Sequence, residues 1–255
     1  MSNLTNFPLL VLALSSSGLW LAAWIGAWFH KRRRDPEEEL REDFGLILGA
    51  TLTLLGLIIG FSFSMAASRY DQRKNYEEQE ANAIGTEYVR ADFLSPADAA
   101  KVRTLLRSYL DQRILFYTTG TEQEVRQIDA RTAQLQAELW SVIAAAAAAQ
   151  PTPIVALAVS GINDVLNSQG YTQAAWWNRI PIAAWGLMAA IAISCNLLFG
   201  YGSRSTKAGA KLLVVLPIII SIALMLIADI DSPRHGFIRV SPQNLVSLAE
   251  SLRTN

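Results

Sequence analysis

Several residue types on which enzyme chemistry depends are scarce in this sequence. It contains one cysteine, Cys195, and two histidines, His30 and His235. A single cysteine excludes an intrachain disulfide, and Cys195 is interpreted as a small hydrophobe inside an apolar run. The sequence has no Cys/His metal-ligand spacing, no glycine-rich phosphate loop and no recognisable nucleophile and base. It therefore predicts a protein that is not an enzyme and that needs neither a metal nor a cofactor.

Net charge is also absent, since 22 Lys and Arg balance 22 Asp and Glu. No long basic run suggests nucleic acid as a partner. Charges are missing altogether from four runs, 1–29, 44–68, 180–203 and 212–228. About 20 helical residues cross the ~30 Å core of a bilayer. The first run lacks a basic start and precedes the Lys31–Arg34 cluster, unlike a signal peptide. We predict four transmembrane helices.

Between the second and third runs lies a polar stretch, 69–179, that is predicted to be helical. The fold class is therefore all-α: spans one and two at 1–68, a helical bundle at 69–179, spans three and four at 180–231, and a tail with a short helix at 232–255. Beyond Arg69 the second helix meets no proline or glycine until Gly85, so it is expected to extend beyond the membrane. An alternative is a fifth span at 139–163, although Pro151 and Pro153 divide that run.

Two helix starts and two apolar faces are readable inside the polar stretch. Ser95-Pro96 and Thr121 with Glu124 carry N-cap signals. Apolar residues recur every three or four positions after each start, as in helices that pack on one another. The first face comprises Val102, Leu105, Leu106, Tyr109, Leu110 and Ile114; the second comprises Val125, Ile128, Thr132, Leu135, Leu139 and Val142.

The second span carries a row of glycines: Gly45, Gly49, Gly56 and Gly60. Small residues spaced by four let helices approach closely in lipid, where no hydrophobic effect drives their association. The row indicates helix packing either within one subunit or between subunits, and the sequence leaves both open.

A second stripe on the same span joins apolar residues to arginines. Phe61, Met65 and Arg69 are spaced by four, and Arg73 lies at the edge of their face. An apolar constriction followed by guanidinium groups is a plausible path for small anions. The alternative is that Phe61 and Met65 simply pack and Arg69 marks the end of the membrane span.

Three segments resemble a known family. Phe61–Asp71 reads FSFSMAASRYD, Glu80–Thr86 reads EANAIGT and Ser232–Gly236 reads SPRHG. Together they resemble the bestrophin-like domain family of bacterial membrane proteins. Gly60-Phe61, followed by seven residues and Arg69, is also similar to the second helix of the bestrophin anion channels.

The bestrophin resemblance implies a homo-oligomer, a pentamer in those channels, whose second helices line a three-ring apolar neck. In this sequence the rings would be Thr53, Leu57 and Phe61, and Thr53 departs from the pattern by being polar. No match to the family's calcium-binding acidic cluster is found. Three nearby acids are predicted to lie on a solvated helix face: Glu77, Glu78 and Glu80.

Two questions stay open at the level of sequence. The resemblance implies a cytosolic helical domain, whereas the Lys31–Arg34 cluster argues for the opposite orientation under the positive-inside rule. The function is predicted to be an oligomeric, bestrophin-like chloride channel in the lipid bilayer. The alternative is a non-conducting scaffold or sensor that uses the helical domain to bind other proteins.

Overall fold

The computed structural model describes residues 4–32, 38–203 and 207–254. Within these ranges the chain is helical, apart from short connections, and contains no β-strand. The helices are α1 (Pro8–Arg32), α2 (Glu38–Arg90), α3 (Pro96–Thr118), α4 (Glu122–Ala149), α5 (Pro153–Trp177), α6 (Ile182–Gly202), α7 (Lys207–Asp231) and α8 (Gln243–Thr254). The predicted all-α class is confirmed. Part of the Lys31–Arg34 cluster lies outside the described residues.

The predicted extension of the second helix is also confirmed. α2 contains 53 residues and continues through Gly85 to Arg90. At about 1.5 Å per residue it is about 80 Å long, far more than one bilayer requires. The helix is uncharged from 44 to 68 and rich in charge from Arg69 onward. No helix-breaking residue marks this change in composition, so the helix continues through it.

The chain divides into two compact units. The first comprises Met1–Arg69 and Arg179–Ile238; the second comprises Tyr70–Asn178 and Arg239–Asn255. The C-terminal segment, which the sequence suggested as a separate tail beginning at residue 232, is thus divided after Ile238. Four helical segments are long and apolar enough to cross a membrane.

In the first unit, α1 packs closely against α6 through two glycines. A Cβ at Gly26 would overlap the carbonyl oxygen of Leu197, and one at Gly200 would overlap the carbonyl oxygen of Ala23. Each glycine therefore lies against the backbone of the opposing helix. Such contact provides van der Waals attraction that bulkier side chains would prevent, which is how helices associate in lipid.

We expect Gly26→Ala to destabilise the first unit by about 2 kcal/mol, because the added methyl must displace the backbone of α6. Gly18→Ala is the matched control, since Gly18 lies on the same helix with nothing within 4 Å of its Cβ position. Thermal midpoints of the two variants in detergent would be compared with that of the unsubstituted chain. Equal midpoints would contradict the close packing of α1 on α6.

The second unit has its own apolar core, formed largely by the two faces predicted from sequence. Val102, Leu106, Tyr109 and Leu110 of α3 are buried, as are five of the six predicted positions of α4; Leu105, Ile114 and Val125 are partly buried against the same core. Ser95 caps α3 by accepting the N–H of Asp98, and Thr121 caps α4 by accepting the N–H of Glu124. Both predicted helix starts are confirmed.

The alanine-rich run at 139–163 forms parts of two helices in this core. α4 ends at Ala149 and α5 begins at Pro153, with Thr152 capping α5. Ile143, Ala158 and Ile162 are fully buried in the core. The run therefore packs within the second unit, which disfavours the alternative of a fifth span.

The prediction that Glu77 and Glu80 lie on a solvated face is wrong; Glu78 is exposed. Glu80 is fully buried, and Nε of Arg113 donates to its carboxylate at 2.5 Å. Glu77 is also buried and accepts the N–H of Leu245 at 3.0 Å. Its negative charge thus lies at the N-terminus of α8, where it complements the helix dipole. Both carboxylates bind partners distant in the chain, which local sequence patterns do not reveal.

Candidate functional site

Most of the residues predicted to line a pore lie on an open face of α2. Phe61 is 62% exposed, Leu57 54% and Met65 43%, and Thr53 is exposed as well. The opposite face of the same helix is buried at Leu55, Ser62 and Ala66. The membrane half of α2 therefore packs on its own chain along one side and presents an apolar stripe along the other.

The arginines that follow this stripe are placed differently. A helix turns about 400° in four residues, so a stripe with this spacing drifts about 40° per step. Arg69 therefore lies about 80° around the helix from Phe61, toward the packed side, and 17% of its side chain is exposed. Arg73, about 120° from Phe61, is only 1% exposed and donates to the carbonyl oxygens of Ala175 and Asn178. Arg73 thus packs inside the second unit, contrary to its predicted place at the edge of a pore.

The glycine row faces away from the rest of the chain. Nothing lies within 4 Å of a Cβ built at Gly45, Gly49, Gly56 or Gly60. They differ in this respect from Gly26 and Gly200, which lie against backbone. Among the residues that the structure describes, the row therefore packs against no other part of the chain.

Asp231 connects three parts of the first unit at the end of α7. Its carboxylate lies 3.6 Å from Nη1 of Arg69 and 3.4 Å from Nε of Arg179, and it accepts the N–H of Ile180 at 3.1 Å. Arg179 also donates to the side chain of Asn6. Because Asp231 is only 1% exposed, these partners stabilise its charge where water cannot. The cluster fixes the end of the membrane half of α2.

Asp229, two residues before Asp231, binds the backbone of the segment that follows α7. Its carboxylate accepts the N–H groups of Phe237 at 2.6 Å and Ile238 at 2.9 Å. A Cβ at Gly236 would overlap the carbonyl oxygen of Asp229. This explains why the SPRHG segment needs a glycine as it turns back against the helix. Sequence reasoning missed both aspartates, although two acids at the end of an apolar span are an unusual feature.

A second open surface lies on α5. Ile154, Leu157, Tyr171 and Trp177 are exposed large hydrophobic residues, and Asp164 is the only charged residue among the 25 of this helix. Asp164 is exposed and lies on the same face as Leu157 and Tyr171, seven residues from each. A surface with so few charges is unusual for a helix in contact with water. This surface was not identified from the sequence; Ile154 and Leu157 belong to the run at 139–163 that was considered as a fifth span.

No group of three or more metal-ligating side chains is found in the described part of the chain. What the first unit offers is a surface: an apolar stripe and a glycine row on one helix, with an arginine–aspartate cluster at the end of the stripe. In the described part of the chain, no other segment covers this stripe.

The chain belongs to the bestrophin-like domain family, whose model matches residues 14–245. Its fold is similar to that of a bacterial bestrophin homologue from Klebsiella pneumoniae, with a TM-score of 0.67 and 12% identity over 97% of this chain and 98% of that one. A second structure of that homologue gives a TM-score of 0.67 at 13% identity, covering 96% and 97% of the two chains. A crystal structure described as a membrane protein gives 0.67 at 12% identity, covering 96% and 97%. No curated protein matches the sequence.

Proposed function

We propose that this protein is an oligomeric, bestrophin-like anion channel in the bacterial inner membrane, with chloride as the simplest permeant ion. The observation that carries the proposal is the open face of α2. The described residues provide no partner for its apolar stripe or for its glycine row, while the opposite face of the helix is buried. Membership of the family and the similarity of fold support a channel of the bestrophin type.

In the proposed assembly, each glycine row contacts the second helix of the neighbouring subunit, and the stripe faces the axis. The helical drift separates the two rows, because Gly56 and Phe61 are five residues and about 140° apart. One face can therefore bind a neighbour while the other lines a path. A homo-oligomer of five subunits is the assembly that the bestrophin resemblance implies.

The proposed path is narrowest at Phe61, with Leu57 and Thr53 as further rings and Met65 on the side of the arginines. An apolar ring resists hydrated ions, because wetting it costs free energy and returns no hydrogen bonds. Arg69 lies one turn beyond Met65 and supplies positive charge, partly balanced by Asp231. Arg73 does not line the proposed path, because its side chain is buried.

We further propose that the polar helices α3 to α5 form a cytosolic domain inserted between the second and third spans. The ten charged residues between Arg69 and Asp92 are too many for a lipid-facing segment. The bestrophin resemblance implies that this domain lies on the cytosolic side of the membrane.

The experiment that tests this function uses purified protein in two measurements. Light scattering in detergent is expected to give a particle of several subunits, and liposomes containing the protein are expected to release chloride down its gradient. Gly49→Ile is expected to reduce the particle size, since its side chain would separate neighbouring helices; Gly18→Ile is the matched change on α1. A strictly monomeric particle, or liposomes no leakier than empty ones, would contradict the channel.

The exposed face of α5 favours a second candidate function. Ile154, Leu157 and Tyr171, which lie within about 100° of one another around α5, could bind another protein, and the chain would then act as a scaffold rather than a channel. The two functions differ in the flux measurement, because a scaffold forms oligomers or complexes without conducting ions.

A further inference from the structure

Glu87 is a buried carboxylate on the part of α2 that belongs to the helical unit. It lies near the end of α2, in the second unit, and is 0% exposed. Neither of its carboxylate oxygens has a hydrogen-bond partner among the described residues. Burying an ionised carboxylate in this way costs far more than most folds can offset, so such a group normally becomes neutral. This distinguishes Glu87 from Glu77 and Glu80, which both accept hydrogen bonds.

The carboxyl group of Glu87 is buried because α5 approaches it through a glycine. A Cβ at Gly161 would overlap Oε2 of Glu87 and would lie 2.9 Å from Nη1 of Arg90. Only a residue without a side chain leaves room for the carboxyl group at this point. The glycine therefore brings the backbone of α5 against Glu87 and excludes water from it.

The charges around Glu87 do not compensate for this burial. Arg90 follows one turn later on α2, and Asp164 follows Gly161 by one turn on α5. Asp92, which follows the end of α2, and Arg103 of α3 pair with each other at 2.5 Å. Burial raises the pKa of Glu87 to about 8; Asp164 raises it further, while Arg90 lowers it. The carboxyl group therefore carries a proton at neutral pH.

We propose that Glu87 is a proton-binding site, and that the loss of its proton loosens α5 from α2 around Gly161. The protonated carboxyl group is neutral and fits against the backbone of α5. The carboxylate would be a buried anion beside Asp164, and it can be hydrated only if the two helices separate locally. The inference concerns the helical unit alone and does not depend on ion conduction.

The sign of the pH dependence follows from linkage. Between the ordinary glutamate pKa of 4.5 and about 8, the folded unit holds a proton that the unfolded chain has released. The stability of the folded unit is therefore greatest below pH 4.5 and decreases as the pH rises toward 8. In this interval the folding equilibrium constant falls by up to about tenfold per pH unit for one proton.

Two measurements on the full chain in detergent test the site. Infrared spectroscopy would follow the protonated-carboxyl band between pH 6 and pH 10, and hydrogen–deuterium exchange, corrected for its intrinsic pH dependence, would follow α5. Glu87→Gln mimics the protonated state and removes the titration. Glu78→Gln is the matched control, because Glu78 is exposed on the same helix. Asp164→Asn, at an exposed position, retains Glu87 and should lower the pH at which it titrates.

The unsubstituted chain and Glu78→Gln are expected to lose a carboxyl band as the pH passes about 8, with faster exchange in α5 above that pH. Glu87→Gln should lack this band and keep α5 protected throughout. Should Glu87→Gln fail to fold, a shift of the band to lower pH in Asp164→Asn would support the site. The proposal is overturned if the band persists in a folded Glu87→Gln variant, if Asp164→Asn leaves it unmoved, or if exchange in α5 is the same below and above the transition.

Discussion

Asp231→Asn is expected to lower the free energy of unfolding of the first unit by about 3 kcal/mol. The variant keeps an acceptor for the N–H of Ile180 but leaves the guanidinium groups of Arg69 and Arg179 without their shared anion. Removing one partner of a buried ion pair is costly because the remaining charge stays desolvated. The thermal midpoint in detergent, measured together with the yield of monodisperse particles, would detect the loss.

Asp71→Asn provides the control for this substitution. Asp71 lies on α2 two residues after Arg69 and is exposed, so loss of its charge should change stability by less than about 0.5 kcal/mol. A variant Asp231→Asn as stable as Asp71→Asn would show that the cluster does not hold the end of α2. The role of Arg69 in the structure would then have to be reconsidered.

Phe61→Ala is expected to give the largest change in ion flux, an increase of about tenfold or more in chloride release from liposomes. Removing the ring widens the proposed constriction and lowers the cost of wetting it, and each 1.4 kcal/mol removed from such a barrier is worth about tenfold in rate. Because Phe61 is exposed in the single chain, its truncation should leave the fold of the subunit intact.

Phe63→Ala is the matched control, since Phe63 is also an exposed phenylalanine of α2 but lies about 160° around the helix from Phe61. It should leave the flux unchanged while deleting the same number of atoms. Equal effects of the two variants would contradict a pore lined by the Phe61 stripe. Replacing chloride by an impermeant anion and then varying the cation would show which ion carries the current.

For Arg69, the sequence predicted the position on the helix but not the ion-pair partner. Its spacing from Phe61 and Met65 predicted a shared face, and the structure places its side chain at the edge of that face. Its partner, Asp231, is 162 residues away, and no local pattern connects the two. The pore cation and the boundary charge that the sequence suggested for Arg69 both stay predictions.

Glu77 and Glu80 show the same limit in the polar half of the chain. Acids within a charged helix ordinarily lie in water, and the sequence offered no reason to expect otherwise. The partner of Glu77 lies on α8, 167 residues away, and that of Glu80 lies on α3, 33 residues away. The prediction of a solvated face was wrong because burial depends on which distant helices pack together, and charged residues are rarely buried unless paired.

By itself, the sequence determined the local properties of this protein. The apolar spans, the helix starts at Pro96 and Glu122, and the faces of α3 and α4 depend on composition and on a period of 3.6 residues, both of which are written in neighbouring positions. Only the tertiary structure decided which face of each helix remained open. The Phe61 stripe and the glycine row are open, Arg73 is buried, and Glu87 is enclosed against Gly161, because side-chain burial is a property of contacts between segments far apart in the chain.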